Sequence, residues 1–333
     1  MRETILRIVS EIRDKQSFLI TTHESPDGDA VGSSLGLASF LRRIGKDVCV
    51  HFCDPVPELY RSLPGAVDVC PHIPERDFDV AFVLDIGDVS RAGKVFCDFK
   101  RAGSTINLDH HLNCGQFGNI NLIDSTAAAT GILVYRIVRE YGYSFDLDTA
   151  LCIYIAIITD TGSFRYSNAN REAFTVAGEM IECGVNAWDV AELLYENQPR
   201  KRLELLGKAL PTLEFVCGGQ AASLTVTNDM YAATGANAEL TDGFVNYPRS
   251  VHGVEVAIFF RQLAENRYKV GFRSKGKVNV AVAEAVTELD WLGGLIATWK
   301  NETQEARAAR DDLDAQERAL REAEEALKSR ERQ

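Results

Sequence analysis

The chain has 333 residues, 46% hydrophobic and 25% charged, with a formal net charge of −12. That length buries a substantial core and suits about two domains. The acidity argues against a protein that coats long nucleic acid through phosphate contacts, and no stretch is apolar and long enough to span a membrane.

Residues 1–14 place Ile5, Ile8, Val9 and Ile12 at helical spacing among charges, which predicts an amphipathic helix and not a signal peptide. Buried strands are expected over 17–22, 47–52, 78–84 and 105–108, with a helix over 30–44 capped by Asp29. This alternation predicts an α/β domain with a mainly parallel sheet flanked by helices. Further helices are expected over 127–139, 149–159 and 172–183, the second ending at Asp160. A long helical pattern over 188–210, interrupted around 197–199, reads as a connector. Strands over 213–216, 221–227, 255–262 and 267–273 then predict a second, smaller α/β domain.

The tail from about Lys300 is rich in Ala, Arg and Glu. Leu313, Leu320 and Leu327 recur every seven residues, giving one narrow apolar stripe on a charged helix. The eight cysteines form no CxxC pair, which fits reduced thiols and a cytoplasmic location. The alternative is a small zinc site from Cys49, His51 and Cys53, which strand alternation places on one face.

Four segments end an apolar stretch with acidic or imidazole groups: Thr22-His23 leading to Asp27-Gly28-Asp29, Leu84-Asp85, Asp109-His110-His111, and Thr159-Asp160. Singly, each has a plainer reading. An Asp-x-Asp in a Gly-containing loop caps a helix or makes a turn, and a strand-end His is a satisfied polar group. Jointly they fall where ligands bind in open α/β sheets, beyond the carboxyl ends of the strands. Oxygen and imidazole donors in this number suit two adjacent divalent cations, Mn²⁺ first, with Mg²⁺ weaker and Zn²⁺ or Co²⁺ as alternatives. Two such ions share a carboxylate and a water, which supplies hydroxide at neutral pH.

The run from His23 through Pro26-Asp27-Gly28-Asp29 to Gly32-Ser33, with Leu84-Asp85, Asp109-His110-His111 and Thr159-Asp160-Thr161-Gly162, resembles the four ordered motifs of the DHH phosphoesterase superfamily. Phe272-Arg273-Ser274-Lys275-Gly276 resembles a segment of the DHH-associated C-terminal (DHHA1) domain that one branch carries. Within that branch the chain is most similar to the NrnA-type group, and the resemblance covers about residues 1–285. It implies an N-terminal DHH domain over 1–187, a connector over 188–210, a DHHA1-like substrate-binding domain over 211–299 and a tail over 300–333.

The resemblance further implies a two-metal phosphoesterase acting on short oligoribonucleotides, 3′-phosphoadenosine 5′-phosphate, or both, by metal-hydroxide attack on phosphorus. It implies His23, Asp27 and Asp85 on one manganese, and Asp29, Asp85, His110 and Asp160 on the other. Asp109 would orient the neighbouring imidazoles, and His111 would contact the scissile phosphate. Ser33 and Ser34 are candidates for phosphate contact or capping, and Arg273 and Ser274, with Arg249 and Ser250 as a second choice, for the nucleotide end. The expected partner is a short RNA or nucleotide, with no long nucleic acid and no membrane; a homodimer is left open.

One departure stands out. The family's second domain carries a glycine-rich run followed by His, whereas this chain reads Leu292-Gly293-Gly294-Leu295 and has no histidine after His252. Three other readings therefore remain: a pyrophosphatase, a phosphodiesterase for the products of cyclic dinucleotides, and a catalytically weakened nucleotide-binding or regulatory protein.

Overall fold

The computed structural model describes residues 1–265, 267–278 and 280, with 285–288 as backbone alone. The expectations for the charged tail and for the Gly293-Gly294 segment lie outside the described residues. The chain divides into two compact units, Met1–Asn197 and Gln198–Gln333.

The first unit is built on five strands: Ser17–Thr21 (β1), Asp47–His51 (β2), Phe78–Leu84 (β3), Ala102–Asp109 (β4) and Ile120–Ile123 (β5). They lie in the order β2-β1-β3-β4-β5, and every neighbouring pair is parallel. The strand expected over 105–108 is longer at both ends, and β5 was not expected at all. It is a four-residue edge strand with polar Asn121 inside it, too short to show an alternation. The chain leaves β1 toward β2 on one side of the sheet and continues from β3 on the other, so the topological switch lies between β1 and β3.

Strand alternation splits the apolar residues between two faces. Phe18, Ile20, Val80, Phe82 and Leu84 join one large core, and Leu19, Ala81 and Val83 a smaller one. The large core is roofed by Arg2–Asp14 (α1), Gly28–Arg43 (α2), Thr130–Tyr141 (α4), Leu147–Asp160 (α5) and Arg171–Glu182 (α6). The smaller one is closed by the short helix Lys94–Asp98 (α3) and adjoining loops, including Ile86, Ala92 and Phe96. Both faces are covered, but unequally.

A close approach of α2 to α5 places the site. Gly28, Gly32 and Gly36 recur at four-residue spacing on α2. A Cβ on Gly28 would lie 2.4 Å from Thr159 Oγ1, one on Gly32 2.5 Å from the Cys152 carbonyl oxygen, and one on Gly36 3.3 Å from Cys152 Cβ. Nothing larger than hydrogen fits at the first two positions. The start of α2 is thereby held against the end of α5, which carries Asp160.

The cap of α2 is Asp27 and not Asp29: its side chain accepts hydrogen bonds from the N–H groups of Asp29 and Ala30. The helical pattern over 188–210 is three pieces. Ala187–Ala191 (α7) runs into a π-helical turn over Glu192–Glu196, and Arg200–Ala209 (α8) follows Pro199. Proline restricts the residue before it to extended conformations, which breaks the run there.

The second unit holds α8, Glu214–Val216 (β6), Ala221–Val226 (β7), Asn228–Thr234 (α9), Asn246–Ser250 (α10), Val256–Ala264 (β8), Arg267–Ser274 (β9) and Ala285–Glu288 (β10). Its sheet order is β10-β9-β8-β7-β6, with β7 and β8 parallel and the other pairs antiparallel. It is the mixed, smaller α/β unit the sequence pattern predicts.

Candidate metal centre

Six side chains from four segments converge beyond the carboxyl ends of β1, β3 and β4 and the C-terminus of α5. His23 follows β1, where the Thr22 hydroxyl donates to the Leu84 carbonyl at 2.9 Å and ties the ends of β1 and β3 together. Its ring Nδ1 lies 2.8 Å from the Glu24 carbonyl oxygen. A carbonyl only accepts, so Nδ1 carries a hydrogen, and in the neutral ring Nε2 keeps the lone pair. That Nε2 faces Asp85 Oδ2 at 3.7 Å.

His110 is set the same way. Its Nδ1 lies 3.2 Å from the Ala127 carbonyl oxygen, and its Nε2 faces Asp29 Oδ2 and Asp85 Oδ1 at 3.6 Å each and Asp160 Oδ2 at 3.7 Å. Separations of 3.6–3.7 Å are too long for hydrogen bonds. They fit pairs of donors that each lie about 2.1 Å from a shared cation.

Asp85 stands between the two histidines. One of its oxygens faces His23 and the other faces His110. Its backbone is left-handed, with φ 59°, and its N–H donates to the Leu108 carbonyl at 2.9 Å. A non-glycine residue in that region costs on the order of 1 kcal/mol or more, strain of a kind that gathers at functional sites. The Thr130 hydroxyl donates to Asp85 Oδ1 at 3.0 Å.

Asp29, 1% exposed, reaches across from α2 to the start of α4, where its two oxygens accept the N–H groups of Thr130 (2.6 Å) and Gly131 (3.0 Å). Asp27 and Asp29 thus cap two different helices with carboxylates. Asp160 is the last residue of α5, held by the Asn168 amide, which donates to its Oδ2 at 3.0 Å.

Donor atoms fall into three groups within 4.8 Å of one another: His23 with Asp27 and Asp85, Asp29 with His110 and Asp160, and Asp85 with His110 and His111. His111 is a poor donor in the third, because its Nδ1 hydrogen is given to Asp109 Oδ1 at 2.7 Å. Half of the His111 side chain is exposed, while Asp109 is fully buried. Asp109 does not orient both imidazoles: it holds His111, and the Ala127 carbonyl holds His110.

The electrostatics show the same demand for cations. Among the described residues no Lys or Arg pairs with Asp29, Asp85 or Asp160. Burial, then the charges of Asp85, Asp160 and Asp27, push the Asp29 carboxyl well above its ordinary range. Burial does the same to Asp160, up to about 7, with Asp27 and Asp85 adding to it; the C-terminal end of a helix is itself unfavourable for a carboxylate. Burial also opposes ionisation of Asp85, but the His23 contact and the charges of His111 and His110 win and lower it to about 2. The Asp109 hydrogen bond lifts His111 to about 9 against burial. Buried carboxylates with no Lys or Arg partner, beside imidazoles whose Nε2 atoms face them, fit divalent cations.

Other expected contacts are differently placed. Ser33 and Ser34 are fully buried in α2, where the Ser33 hydroxyl donates to the Ala30 carbonyl at 3.4 Å. Arg273 and Ser274 end β9 in the second unit; Arg273 is exposed, and the Ser274 hydroxyl donates to Glu255 Oε1 at 3.3 Å. The Ser250 hydroxyl donates to the Tyr247 carbonyl. Among the described residues the donor atoms of Cys49, His51 and Cys53 are not brought together as a possible metal site; β2 ends at His51, before Cys53. Thr130 and Asn168, both holding cluster carboxylates, were not expected. The Thr130-Gly131 pair opening a helix was the available signal for the first; Asn168 had none.

An open parallel sheet with this cluster beyond its switch point defines an α/β protein with a candidate divalent-cation site where such sheets bind ligands. The comparisons make the class specific. Residues 17–157 match the DHH family, N-terminal domain. The chain is 33% identical to the bifunctional oligoribonuclease and PAP phosphatase NrnA of Thermus thermophilus, over 82% of each protein. It is 24% identical to the NrnA of Bacillus subtilis, over 84% of this chain and 87% of that protein. An exopolyphosphatase-related protein from Bacteroides fragilis superposes with a TM-score of 0.77 at 28% identity, over 83% of this chain and 84% of that one. The chain belongs to the DHH family of phosphoesterases, in its NrnA-type branch.

Proposed function

We propose that the protein is a two-metal phosphoesterase of the cytoplasm that hydrolyses short oligoribonucleotides, 3′-phosphoadenosine 5′-phosphate, or both. The observation that carries this reading is the division of Asp85, one oxygen toward His23 and the other toward His110. His23, Asp27 and Asp85 would hold one ion, and Asp29, Asp85, His110 and Asp160 the other. Divalent ions, Mn²⁺ by the mixed oxygen and imidazole donors, would supply Lewis acidity and lower the pKa of water there. The substrates are those named for the Thermus and Bacillus relatives.

The chain's own groups do the rest. The Glu24 and Ala127 carbonyls keep both ligand imidazoles in the one tautomer that offers Nε2. Asp109 stabilises His111 as an imidazolium and leaves its Nε2 hydrogen for a phosphoryl oxygen or the departing oxygen. Arg273 would bind the nucleotide end from the second unit.

Asp85→Ala tests the reading, because the proposed positions of both ions depend on that carboxylate. Purified, metal-replete Asp85→Ala is expected to be folded and inactive on 3′-phosphoadenosine 5′-phosphate and on diadenylate. Turnover above about a tenth of wild type would overturn the assignment.

A further inference from the structure

A cleft of about 400 Å³ opens beyond the end of β2, lined by Phe52, Pro55, Val56, Val67, Val69 and Pro71, with the Cys53 and Cys70 side chains in its wall. Its size falls within the ~300–1,000 Å³ range of small-molecule sites, and apolar walls with few polar groups are their usual lining. Arg61 is the cation of that lining. Its Nε–H donates to the Val56 carbonyl at 3.3 Å, and among the described residues no carboxylate pairs with it. Val67, 87% exposed, stands on the lining as an apolar surface offered to water.

The cleft adjoins the candidate metal centre. Asp54 in its wall accepts the Ser25 N–H at 2.7 Å, within the loop that carries His23 and Asp27. That bond engages the Asp54 carboxylate on the protein's own backbone. Glu24 N–H donates to the Arg91 carbonyl at 2.7 Å. Two residues on from Arg91, Gly93 lies so close to Cys53 that an added Cβ would sit 2.6 Å from Cys53 Cβ. Asp54 therefore ties the cleft lining to the metal loop, and the two follow β2 and β1, neighbouring strands of one sheet.

We infer that this cleft takes the nucleobase of a substrate residue flanking the scissile phosphate. The choice of substrate rests on the phosphoesterase reading, and the location rests on the cleft alone. A flat, weakly polar ring suits the valine, proline and phenylalanine walls, and the Arg61 guanidinium offers hydrogens to base acceptors or a plane to stack on. A phosphate held at the cluster would set the attached nucleoside toward the loop that Ser25 joins to Asp54.

The test uses the full metal-replete chain with adenosine 5′-monophosphate as the probe. Bound nucleotide is expected to slow alkylation of Cys53 and Cys70 by N-ethylmaleimide, read by peptide mass spectrometry, and to leave Cys183 unchanged. Arg61→Ala is expected to raise the protecting concentration about fivefold or more. The same substitution is expected to collapse the KM advantage of diadenylate over an analogue lacking both bases. Equal alkylation with and without nucleotide, together with equal KM for the two substrates, overturns the inference and leaves the hydrolase reading standing. Protection of Cys53 and Cys70 in a wild-type protein that cleaves neither substrate supports the cleft and overturns the hydrolase reading instead.

Discussion

Asp109 Oδ1 accepts two hydrogen bonds from His111, one from the ring Nδ1 at 2.7 Å and one from the backbone N–H at 3.1 Å. The carboxylate thus fixes both the ring and the chain that carries it. Asp109→Asn keeps the shape and removes the charge. His111, raised to about 9 by this partner, is then expected to titrate closer to its ordinary 6.5. Turnover is expected to fall about 10- to 100-fold, the usual cost of losing a group that orients a site residue. NMR titration of His111 in metal-free protein and steady-state rates check the two halves separately. An unmoved His111 pKa would contradict the pairing.

The metal-free cluster makes stability depend on pH. Asp160 titrates at about 7 in the fold against 3.8 in the open chain, and Asp29 is also raised. A raised carboxyl contributes stability that is complete below its unfolded pKa and lost as pH climbs through the folded value. His111 acts in the same sense, its contribution being complete below 6.5 and lost as pH passes about 9. Asp85, lowered to about 2, contributes fully above 3.8 and does not vary in this window. The Tm of metal-free protein is expected to fall from about pH 5 to about pH 9, and saturating Mn²⁺ to lift and flatten the curve. A metal-free Tm that rises over that interval contradicts this account.

The glycine ridge of α2 predicts a graded series. Gly32→Ala forces a methyl against the Cys152 carbonyl and is expected to destabilise by about 1–3 kcal/mol and to weaken metal binding, since α2 and α5 carry the candidate ligands Asp29 and Asp160. Gly36→Ala, meeting Cys152 Cβ at 3.3 Å, is expected to be milder. Gly178→Ala, on α6 with nothing within 4 Å of the new methyl, is expected to stabilise by about 0.5–1 kcal/mol. Urea unfolding of the three variants beside Mn²⁺ titration separates packing from ligation.

Arg136 on α4 donates to both oxygens of Glu172 at 2.8 and 2.6 Å, and to Asp124 Oδ2 at 2.6 Å. It is 18% exposed and Asp124 7%, so the network is shielded. Arg136→Met leaves Asp124 buried without its cation, and a loss of about 2–3 kcal/mol is expected in chemical denaturation. The double variant with Asp124→Asn is expected to recover part of it.

Strand ends carried most of what the sequence disclosed. His23, Asp85 and Asp109 stand where an apolar run stops, and a parallel sheet aligns such stops along one edge, so linear spacing became spatial proximity. Asp160 was legible because its helix is apolar on every side and stops at it. What stayed hidden depended on contacts across the chain. That Asp27 caps α2 while Asp29 caps α4 is decided by the position of Thr130, about a hundred residues on. That Asp109 serves His111 and leaves His110 to Ala127 depends on ring orientation, which adjacent positions in a sequence do not distinguish. The four-residue β5 had too little alternation to announce itself.

The two carboxylate caps have a consequence for the life of the protein. Each sets a negative charge of the cluster against the positive end of a helix, so part of the repulsion among the acids is met by the backbone before any ion arrives. The helices that hold the cluster are in this sense also part of its provision for cations. A chelator is expected to strip a bound cation, and another cation to refill the cluster, without unfolding of the helices that hold it.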